Sequence, residues 1–284
     1  MIKLFVLLIF FICNIFASEK INVSVSVIPQ SYFVKQIAGD LVDVNVMVQN
    51  GKSPEIYEPT MKQLQELSNS RIYFGIGMPF EAAWLERFKS INPNMLIIKP
   101  LPDGILEQYN KKYNISSHKH FSHKHHNHPP HIWLSFELSK LHAKQIAATL
   151  ISINPKNTQI YKENLQNFID KIDNLYNRFK IVFADSKKSF LVFHSAWNYI
   201  ANELGIIEYA IEIDGKEVKI AHRRDVLELI KKNNIKVIFV QPQFSQKNAR
   251  AIAKEAGIEV KYADPLSYDW ITNLESFLNA IANN

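Results

Sequence analysis

Short apolar segments alternate with longer amphipathic ones along both halves of the chain. In the first half, four segments have the period-two or fully apolar pattern of strands: 21–27, 42–48, 72–74 and 96–98. Four others have the apolar spacing or the boundary residues of helices: 32–38, 61–67, 80–88 and 135–153. Strands that alternate with helices predict an α/β unit with a mostly parallel sheet.

The same alternation begins again after residue 185. The strand-like segments there are 190–193, 206–213, 237–240 and 260–262, and the helix-like segments are 197–204, 224–232, 246–256 and 272–282. Between the halves, Asn154-Pro155 has the pattern of a helix start, and one apolar face continues to about Asp185. About 30 helical residues extend roughly 45 Å. We interpret this segment as a helix that joins two lobes, with a long helix inside a single domain as the alternative.

These patterns predict the fold class and the boundaries of its parts. The expected fold is α/β, with two lobes of mostly parallel sheet joined by one long backbone helix and with the ligand site in the cleft between the lobes. The expected parts are a signal peptide at 1–17, an N-terminal lobe at 18–153, a linking helix at 154–185 and a C-terminal lobe at 186–284.

The first 17 residues have the pattern of a secretory signal. Lys3 precedes an apolar run from residue 4 to residue 16, and the small residue Ala17 follows it, so we predict cleavage after Ala17. Cys13 is the single cysteine, and because the bulky Ile12 precedes it we favour cleavage over lipid attachment at Cys13. A mature chain without a thiol has no disulfide and no thiolate metal ligand. We expect this mature chain to lie outside the cytoplasmic membrane.

Composition and charge exclude two further classes of protein. Hydrophobic residues make up 47% of the chain, which is typical of a folded protein rather than a disordered one. The 33 Lys and Arg against 27 Asp and Glu give a formal net charge of +6. The basic residues are spread along the chain among acidic ones, so we do not expect nucleic-acid binding.

A run between residues 118 and 131 contains seven of the ten histidines. Imidazole is the commonest side-chain metal ligand near neutral pH, so this density indicates metal handling rather than an internal purification tag. Six of the seven lie among Lys, Ser and Asn, and we expect them to form a mobile, solvated auxiliary metal loop at 118–128: His118, His120, His123, His125, His126 and His128. His131 instead follows Pro129-Pro130 and begins an apolar run, so we expect it at the edge of packed structure.

Four potential ligands follow predicted strands, two in each half of the chain. They are Glu55, His131, His194 and Asp269. The carboxyl ends of parallel strands border the ligand site in such folds, so these side chains can converge in the cleft. Each residue taken alone is more often structural than functional, and only the convergence favours a metal site.

Several motifs resemble those of the metal-binding solute receptors of bacterial ABC importers, the zinc and manganese uptake group. The resemblance covers the chain from Ile21 onward and rests on residues 25–29, 37–40, 130–134, 154–164, 193–199, 241–244 and 263–266 and on Ser53-Pro-Glu-Ile-Tyr-Glu-Pro59. It implies two α/β lobes, a rigid linking helix and a metal ion buried between the lobes.

The resemblance also implies which residues bind the metal. His131 and His194 match family histidine ligands, and Asp269 lies where a C-terminal carboxylate ligand is expected. Glu55 departs from the pattern because the family usually has histidine after the proline, although glutamate also binds zinc. Glu58 is the nearby rival and supports the fold in the family. We interpret His142 and His222, which lie in helix and helix-start contexts, as structural or surface residues.

The expected function is therefore a periplasmic receptor that binds Zn²⁺ with high affinity and delivers it to a cognate ABC permease. We expect no catalysed reaction, no catalytic residue and a monomeric protein. Zinc is favoured over Mn²⁺ because His194 supplies nitrogen and because the His-rich run resembles that of zinc receptors, whereas the carboxylate of Glu55 favours manganese. A manganese receptor, a metal-dependent hydrolase and an adhesin are the alternatives.

Overall fold

The computed structural model describes residues 20–113, 115, 130–212 and 223–283. The predicted signal peptide, the auxiliary loop histidines His118 to His128, and His222 lie outside these residues. Within them, no helix is both long and apolar enough to span a membrane.

The first lobe contains a four-stranded parallel sheet in the order β2-β1-β3-β4. Its strands are β1 (Ile21–Val25), β2 (Val42–Val46), β3 (Ile72–Phe74) and β4 (Leu96–Ile98). Val23 in the central strand pairs with Val44 on one side and with Ile72 on the other. Its helices are α1 (Ile28–Ala38), α2 (Met61–Ser68), α3 (Pro79–Ile91), α4 (Ile105–Lys112) and α5 (Phe136–Ile153).

The second lobe repeats this topology, with the parallel order β6-β5-β7-β8. Its strands are β5 (Ser189–Val192), β6 (Ile207–Ala210), β7 (Val237–Val240) and β8 (Glu259–Tyr262). After the helix α6 (Thr158–Val182), which lies between the two sheets in sequence, the helices of the second lobe are α7 (Asn198–Leu204), α8 (Arg223–Lys232), α9 (Lys247–Ala256) and α10 (Trp270–Ala282). The predicted α/β fold class with two parallel-sheet lobes is confirmed.

Each sheet has its topological switch point beside its first strand. The chain leaves β1 toward β2 on one side and returns to β3 on the other, and β5 has the same relation to β6 and β7. The loops that leave these strands therefore diverge and open a crevice at the carboxyl edge, where ligands bind in such folds. The two-lobed chain provides two such edges.

The long helix α6 (Thr158–Val182) packs against α1 and α5 of the first lobe and against α10 of the second. Its buried side chains recur at spacings of three, four and seven residues: Tyr161, Phe168, Ile172, Leu175 and Phe179. This spacing forms one apolar face. The main hydrophobic core consequently continues from the first sheet past this helix to Phe190 and Phe277 of the second lobe. A smaller core that includes Ile238 and Ile252 is separate from it and fills the rest of the second lobe.

Several element boundaries differ from the sequence prediction. Helix α1 begins at Ile28 rather than at Tyr32, with Pro29 in its first turn, where proline has no N–H to lose. Helix α4 was not predicted, because few of its residues are apolar and only Tyr109 is buried. Strand β6 ends at Ala210 rather than at residue 213, and α10 begins at Trp270 rather than at residue 272. Because of the last two differences, Glu212 lies just after a strand and Asp269 directly precedes a helix.

His142 lies in the core of the first lobe, on α5, and is fully buried. Its Nδ1 is 3.0 Å from the carbonyl oxygen of Pro100, and its Nε2 is 3.1 Å from the amide nitrogen of Gln30. A carbonyl only accepts, so Nδ1 donates to Pro100 and Nε2 accepts from Gln30. Burial outweighs the bond to Pro100 and lowers the pKa of His142 to about 4.

We predict that His142 makes the fold sensitive to acid. Its folded pKa lies below its unfolded value of about 6.5, so the unfolded chain binds the proton and stability falls as the pH drops from 6.5 toward 4. The loss approaches about 3 kcal/mol at the lower end. In metal-free protein, His142→Gln should flatten the dependence of unfolding free energy on pH over this range. The exposed Lys144→Gln on the same helix is the control, and equal slopes in both variants would contradict this role.

Candidate metal centre

Three ligand groups from separate parts of the chain meet in one place. Glu55, His131 and His194 each offer a ligand atom, and these atoms all lie within 4.8 Å of one another. Glu55 Oε1 is 3.2 Å from His194 Nε2, and the rings of the two histidines are 5.4 Å apart. Both histidines are buried and Glu55 is 21% exposed. Three of the four ligands predicted from the sequence are therefore brought together.

Glu55 is held by the loop between β2 and α2. Its backbone N–H donates to Ser53 Oγ over 3.3 Å. Farther along, the buried side chain of Gln63 accepts from Tyr57 and donates to the carbonyl of Val46 at the end of β2. These bonds tie the loop back to the strand that it leaves.

His131 directly precedes a short 3₁₀ turn, Ile132–Leu134, before α5. The indole N–H of Trp133 donates over 2.7 Å to the carbonyl of Pro265 in the second lobe. In return, the indole N–H of Trp270 donates over 2.7 Å to the carbonyl of Trp133. The Trp133 ring also lies edge-on to the imidazole of His131. The segment that carries this ligand is thus bonded to the opposite lobe.

His194 lies two residues beyond the end of β5, and Gln241 at the end of β7 fixes its backbone. The side-chain oxygen of Gln241 accepts from the N–H of His194 over 3.1 Å, and its amide nitrogen donates to the His194 carbonyl. The imidazole stacks on the ring of Phe244 with centroids 4.7 Å apart. These contacts fix the orientation of the imidazole ring.

Glu212 orients the ring of His194 through a hydrogen bond to Nδ1, the nitrogen that does not face Glu55. Its Oε2 lies 2.8 Å from His194 Nδ1, and the carboxylate is buried. An ionised carboxylate only accepts, so Nδ1 is the protonated nitrogen and Nε2 faces Glu55 and His131. Such carboxylate–histidine pairs fix the tautomer of metal-binding histidines and raise the basicity of the ligand nitrogen.

The charge on His194 is set by a competition between burial and carboxylates. Burial by itself lowers the pKa of this imidazole, but Glu212 and Glu55 outweigh burial and raise the pKa to about 9. A metal ion binds only the neutral ring nitrogen, so at neutral pH it must displace a proton from Nε2. The site is therefore built to hold a cation, either a proton or a metal ion.

The cavity at this cluster is small. Its volume is about 10 Å³ and its lining includes Pro54, Trp133, Phe244 and Leu266 as well as the three predicted ligand residues. This volume suits one water-sized particle or one ion, whereas sites for organic ligands are typically of roughly 300 Å³ or more. Two imidazoles and a carboxylate are a ligand set suited to zinc.

Asp269, the fourth predicted ligand, is not among the three clustered residues. The residue is exposed and forms the N-cap of α10, where its Oδ1 accepts from the N–H of Thr272 over 3.3 Å. The helix begins two residues earlier than predicted, so this carboxylate accepts from a backbone N–H at the helix N-terminus.

Asp264 is the carboxylate closer to the cavity on this side. Its Oδ1 accepts from Gln243 over 2.7 Å and from the N–H of Leu266 over 2.9 Å, and both partners line the cavity. Asp264 follows β8 by only two residues, so a choice of the first carboxylate after each strand would have selected it before Asp269.

Glu58, the rival of Glu55 in the sequence, is exposed and is not part of the cluster.

Two supporting residues were missed in the sequence. Glu212 was assigned to the interior of a strand, but β6 ends at Ala210 and leaves Glu212 at the strand exit. Gln241 directly follows β7 and was noted only as part of a family motif. Gln241 follows a predicted strand and could have been selected in the same way as the histidines, whereas Glu212 is recognised only once β6 is seen to end at Ala210.

Comparison with known proteins indicates a single family. Residues 23–284 match the family described as ZnuA, "Zinc-uptake complex component A periplasmic". The chain is 26% identical over 264 residues to the "Zinc-binding lipoprotein AdcA" of Streptococcus pneumoniae (strain ATCC BAA-255 / R6), which covers 88% of this chain and 51% of that protein. It is 26% identical over 253 residues to the "High-affinity zinc uptake system protein ZnuA" of Bacillus subtilis (strain 168), covering 87% of this chain and 79% of that protein.

Comparison of the fold with solved structures indicates the same family. A crystal structure of ZnuA superposes with a TM-score of 0.83 at 34% identity, over 93% of this chain and 99% of that chain. The chain spans about half the length of the AdcA relatives that it matches. These findings agree with the resemblance seen in the sequence motifs.

We predict that Glu212 tunes metal affinity through His194. Glu212→Gln keeps an oxygen that can accept from Nδ1 but removes one of the two negative charges beside the ring. The pKa of His194 in metal-free protein should fall below about 9, measured by NMR titration. Zinc affinity, measured by chelator competition, should weaken about tenfold or more. Glu255→Gln, an exposed change in the same lobe, should alter neither quantity. An unchanged affinity in Glu212→Gln would contradict the assignment.

Proposed function

The chain belongs to the ZnuA family of periplasmic zinc-uptake components, and from this membership we propose that it is the zinc receptor of a bacterial ABC importer. In this role it binds Zn²⁺ outside the cytoplasmic membrane and presents the ion to a membrane permease. The observation that carries the proposal is the convergence of Glu55 and His131 from one lobe with His194 from the other, around a cavity the size of one ion.

The division of the ligands between lobes suits capture and release. His194 and its partner Glu212 belong to the second lobe, whereas Glu55 and His131 belong to the first. A closed arrangement offers the ion three protein ligands at once, and separation of the lobes would leave it with fewer. Movement imposed by the permease can therefore lower the affinity for zinc without any change in the ligands themselves.

The ligand set favours zinc over manganese. Two imidazole nitrogens suit zinc, whereas manganese prefers sites dominated by oxygen, and zinc also binds more tightly than manganese at most sites of mixed ligands. Glu55 adds one oxygen and narrows the preference without reversing it. A catalytic zinc site can have the same three ligands, but the cavity here has no room for a substrate beside the ion. We therefore propose a receptor that catalyses no reaction.

The remaining parts of the proposal follow from the sequence. Residues 1–17 direct export and are removed after Ala17, in preference to lipid attachment at Cys13. The mature lobes are 18–153 and 186–284 with the joining segment at 154–185, and the receptor acts as a monomer. His118, His120, His123, His125, His126 and His128 form an auxiliary site that binds zinc more weakly than the central site.

The ligand assignment is tested by zinc titration of single variants. The wild type should bind one zinc ion tightly. Glu55→Ala, and nearly as strongly Glu55→Gln, should lower affinity by more than the roughly 10- to 100-fold typical of an outer partner. Glu55→His should retain tight zinc binding, because imidazole is also a good zinc ligand. Chelator competition at pH 7.5 measures each value.

Asp269→Ala is the matched control for these variants, because its carboxylate caps a helix and is not one of the three clustered groups. It should leave zinc affinity unchanged. Unchanged affinity in both Glu55→Ala and Glu55→Gln would remove Glu55 from the site. A wild-type protein that binds no zinc tightly would overturn the proposed function itself.

Deletion of residues 118–128 tests the auxiliary site separately. The variant should lose additional, weaker zinc equivalents and keep the single tight one, because none of the three central ligands is removed. Isothermal titration calorimetry of both proteins gives the number of equivalents in each affinity class. Loss of the tight equivalent on deletion would show that the histidine run is the main site.

A further inference from the structure

A buried carboxylate of the second lobe caps the N-terminus of a helix in the first lobe. Glu203 lies on α7, and its side chain accepts hydrogen bonds at the start of α5. Its Oε2 accepts from the N–H of Phe136 over 2.7 Å, and its Oε1 accepts from the N–H of Glu137 over 3.2 Å. The hydroxyl of Ser135, the N-cap of α5, also donates to Oε1.

A fourth donor comes from another helix of the first lobe. The hydroxyl of Tyr109 on α4 donates to Glu203 Oε1 over 2.8 Å and lies 3.3 Å from the carbonyl of Tyr199. Within the described part of the chain, the four donors to this carboxylate therefore all belong to the opposite lobe. Hydrogen bonds to an ionised acceptor are about twice as strong as neutral ones, and the positive end of the α5 dipole adds to them.

The bonded segment is the one that carries His131. The N–H of Leu134 donates to the carbonyl of His131 over 2.9 Å, and the N–H of Ser135 donates to the carbonyl of Ile132 over 3.2 Å. The residues from the ligand to the helix cap thus form one hydrogen-bonded turn. A shift of Ser135 relative to the second lobe would be transmitted to the ligand over a distance of only four residues.

We propose that Glu203 is a positioning residue of the metal centre, which acts through Ser135 and Phe136 to hold His131 in register with His194. The inference deepens the proposed zinc-receptor function and rests on it. Metal ions require ligand distances within about 0.2 Å, so an anchor between the lobes this close to a ligand affects affinity as well as stability.

Glu81 provides a matched control. It is also a buried carboxylate, and it accepts from Ser26 over 2.5 Å and from the N–H groups of Ile76 and Gly77 over 2.8 and 3.1 Å. These partners all lie in the same lobe as Glu81. A carboxylate that only stabilises the fold should behave like Glu81, whereas a positioning residue should also change the binding of the metal.

The experiment compares Glu203→Gln with Glu81→Gln in the full mature chain. A glutamine amide cannot accept from every donor around either carboxylate, so both variants should melt at lower temperature. At a temperature where both are folded, Glu203→Gln should weaken zinc binding by about 10- to 100-fold and speed zinc dissociation. Glu81→Gln should stay within about twofold of the wild type. The absorption spectrum of the Co²⁺-loaded protein should change only in Glu203→Gln.

Equal zinc affinities in the two variants, with an unchanged Co²⁺ spectrum, would overturn the inference and leave Glu203 as a helix cap. If Glu203→Gln does not fold, Ser135→Ala removes one donor and is compared with Ser26→Ala, which removes one donor to Glu81. A loss of zinc affinity confined to Ser135→Ala supports the inference, and equal affinities overturn it. Absence of tight zinc binding in the wild type would instead count against the proposed function.

Discussion

The arrangement of negative charge around His194 is the constraint on which the site depends. Glu55 approaches one ring nitrogen and Glu212 the other, in a cavity largely shielded from water. Two carboxylates held against opposite nitrogens of one buried ring favour a positive charge between them. The imidazolium of His194 meets this need without metal, and a divalent ion that displaces its proton meets it more fully. Capture of the ion and release of the proton are thus parts of one electrostatic exchange.

That exchange needs ligands held in place by both lobes. The main core continues past α6 into the second lobe, and the paired indole bonds of Trp133 and Trp270 cross between the lobes beside the site. A shared core and crossing hydrogen bonds resist a wide hinge opening, because such opening would expose apolar surface and leave buried donors unpaired. The fold therefore favours a preformed site with small movements between its halves.

How far the site could be predicted differs from residue to residue. The clustering of Glu55, His131 and His194 could be predicted because each follows a strand, and parallel strands bring their exits to one edge. The start of α10 was predicted two residues late, which hid the role of Asp269 as a helix cap. Glu212 was missed for the converse reason, since its strand ends earlier than the apolar pattern suggests. Errors of two residues in a boundary are small for the fold but decide which side chain faces the cavity.

The sequence alone determined the α/β class, the two similar halves, the long helix between them and the histidines able to bind metal. These features depend on local periodicity and on the chemistry of single residues, both of which can be read from the sequence. The tertiary structure decided which candidate ligands meet, which nitrogen of His194 faces Glu55, and that Glu203 bonds to the opposite lobe. Each of these depends on distances between residues far apart in sequence. Such distances are set by the packing of the two lobes against each other, and no pattern within either half specifies them.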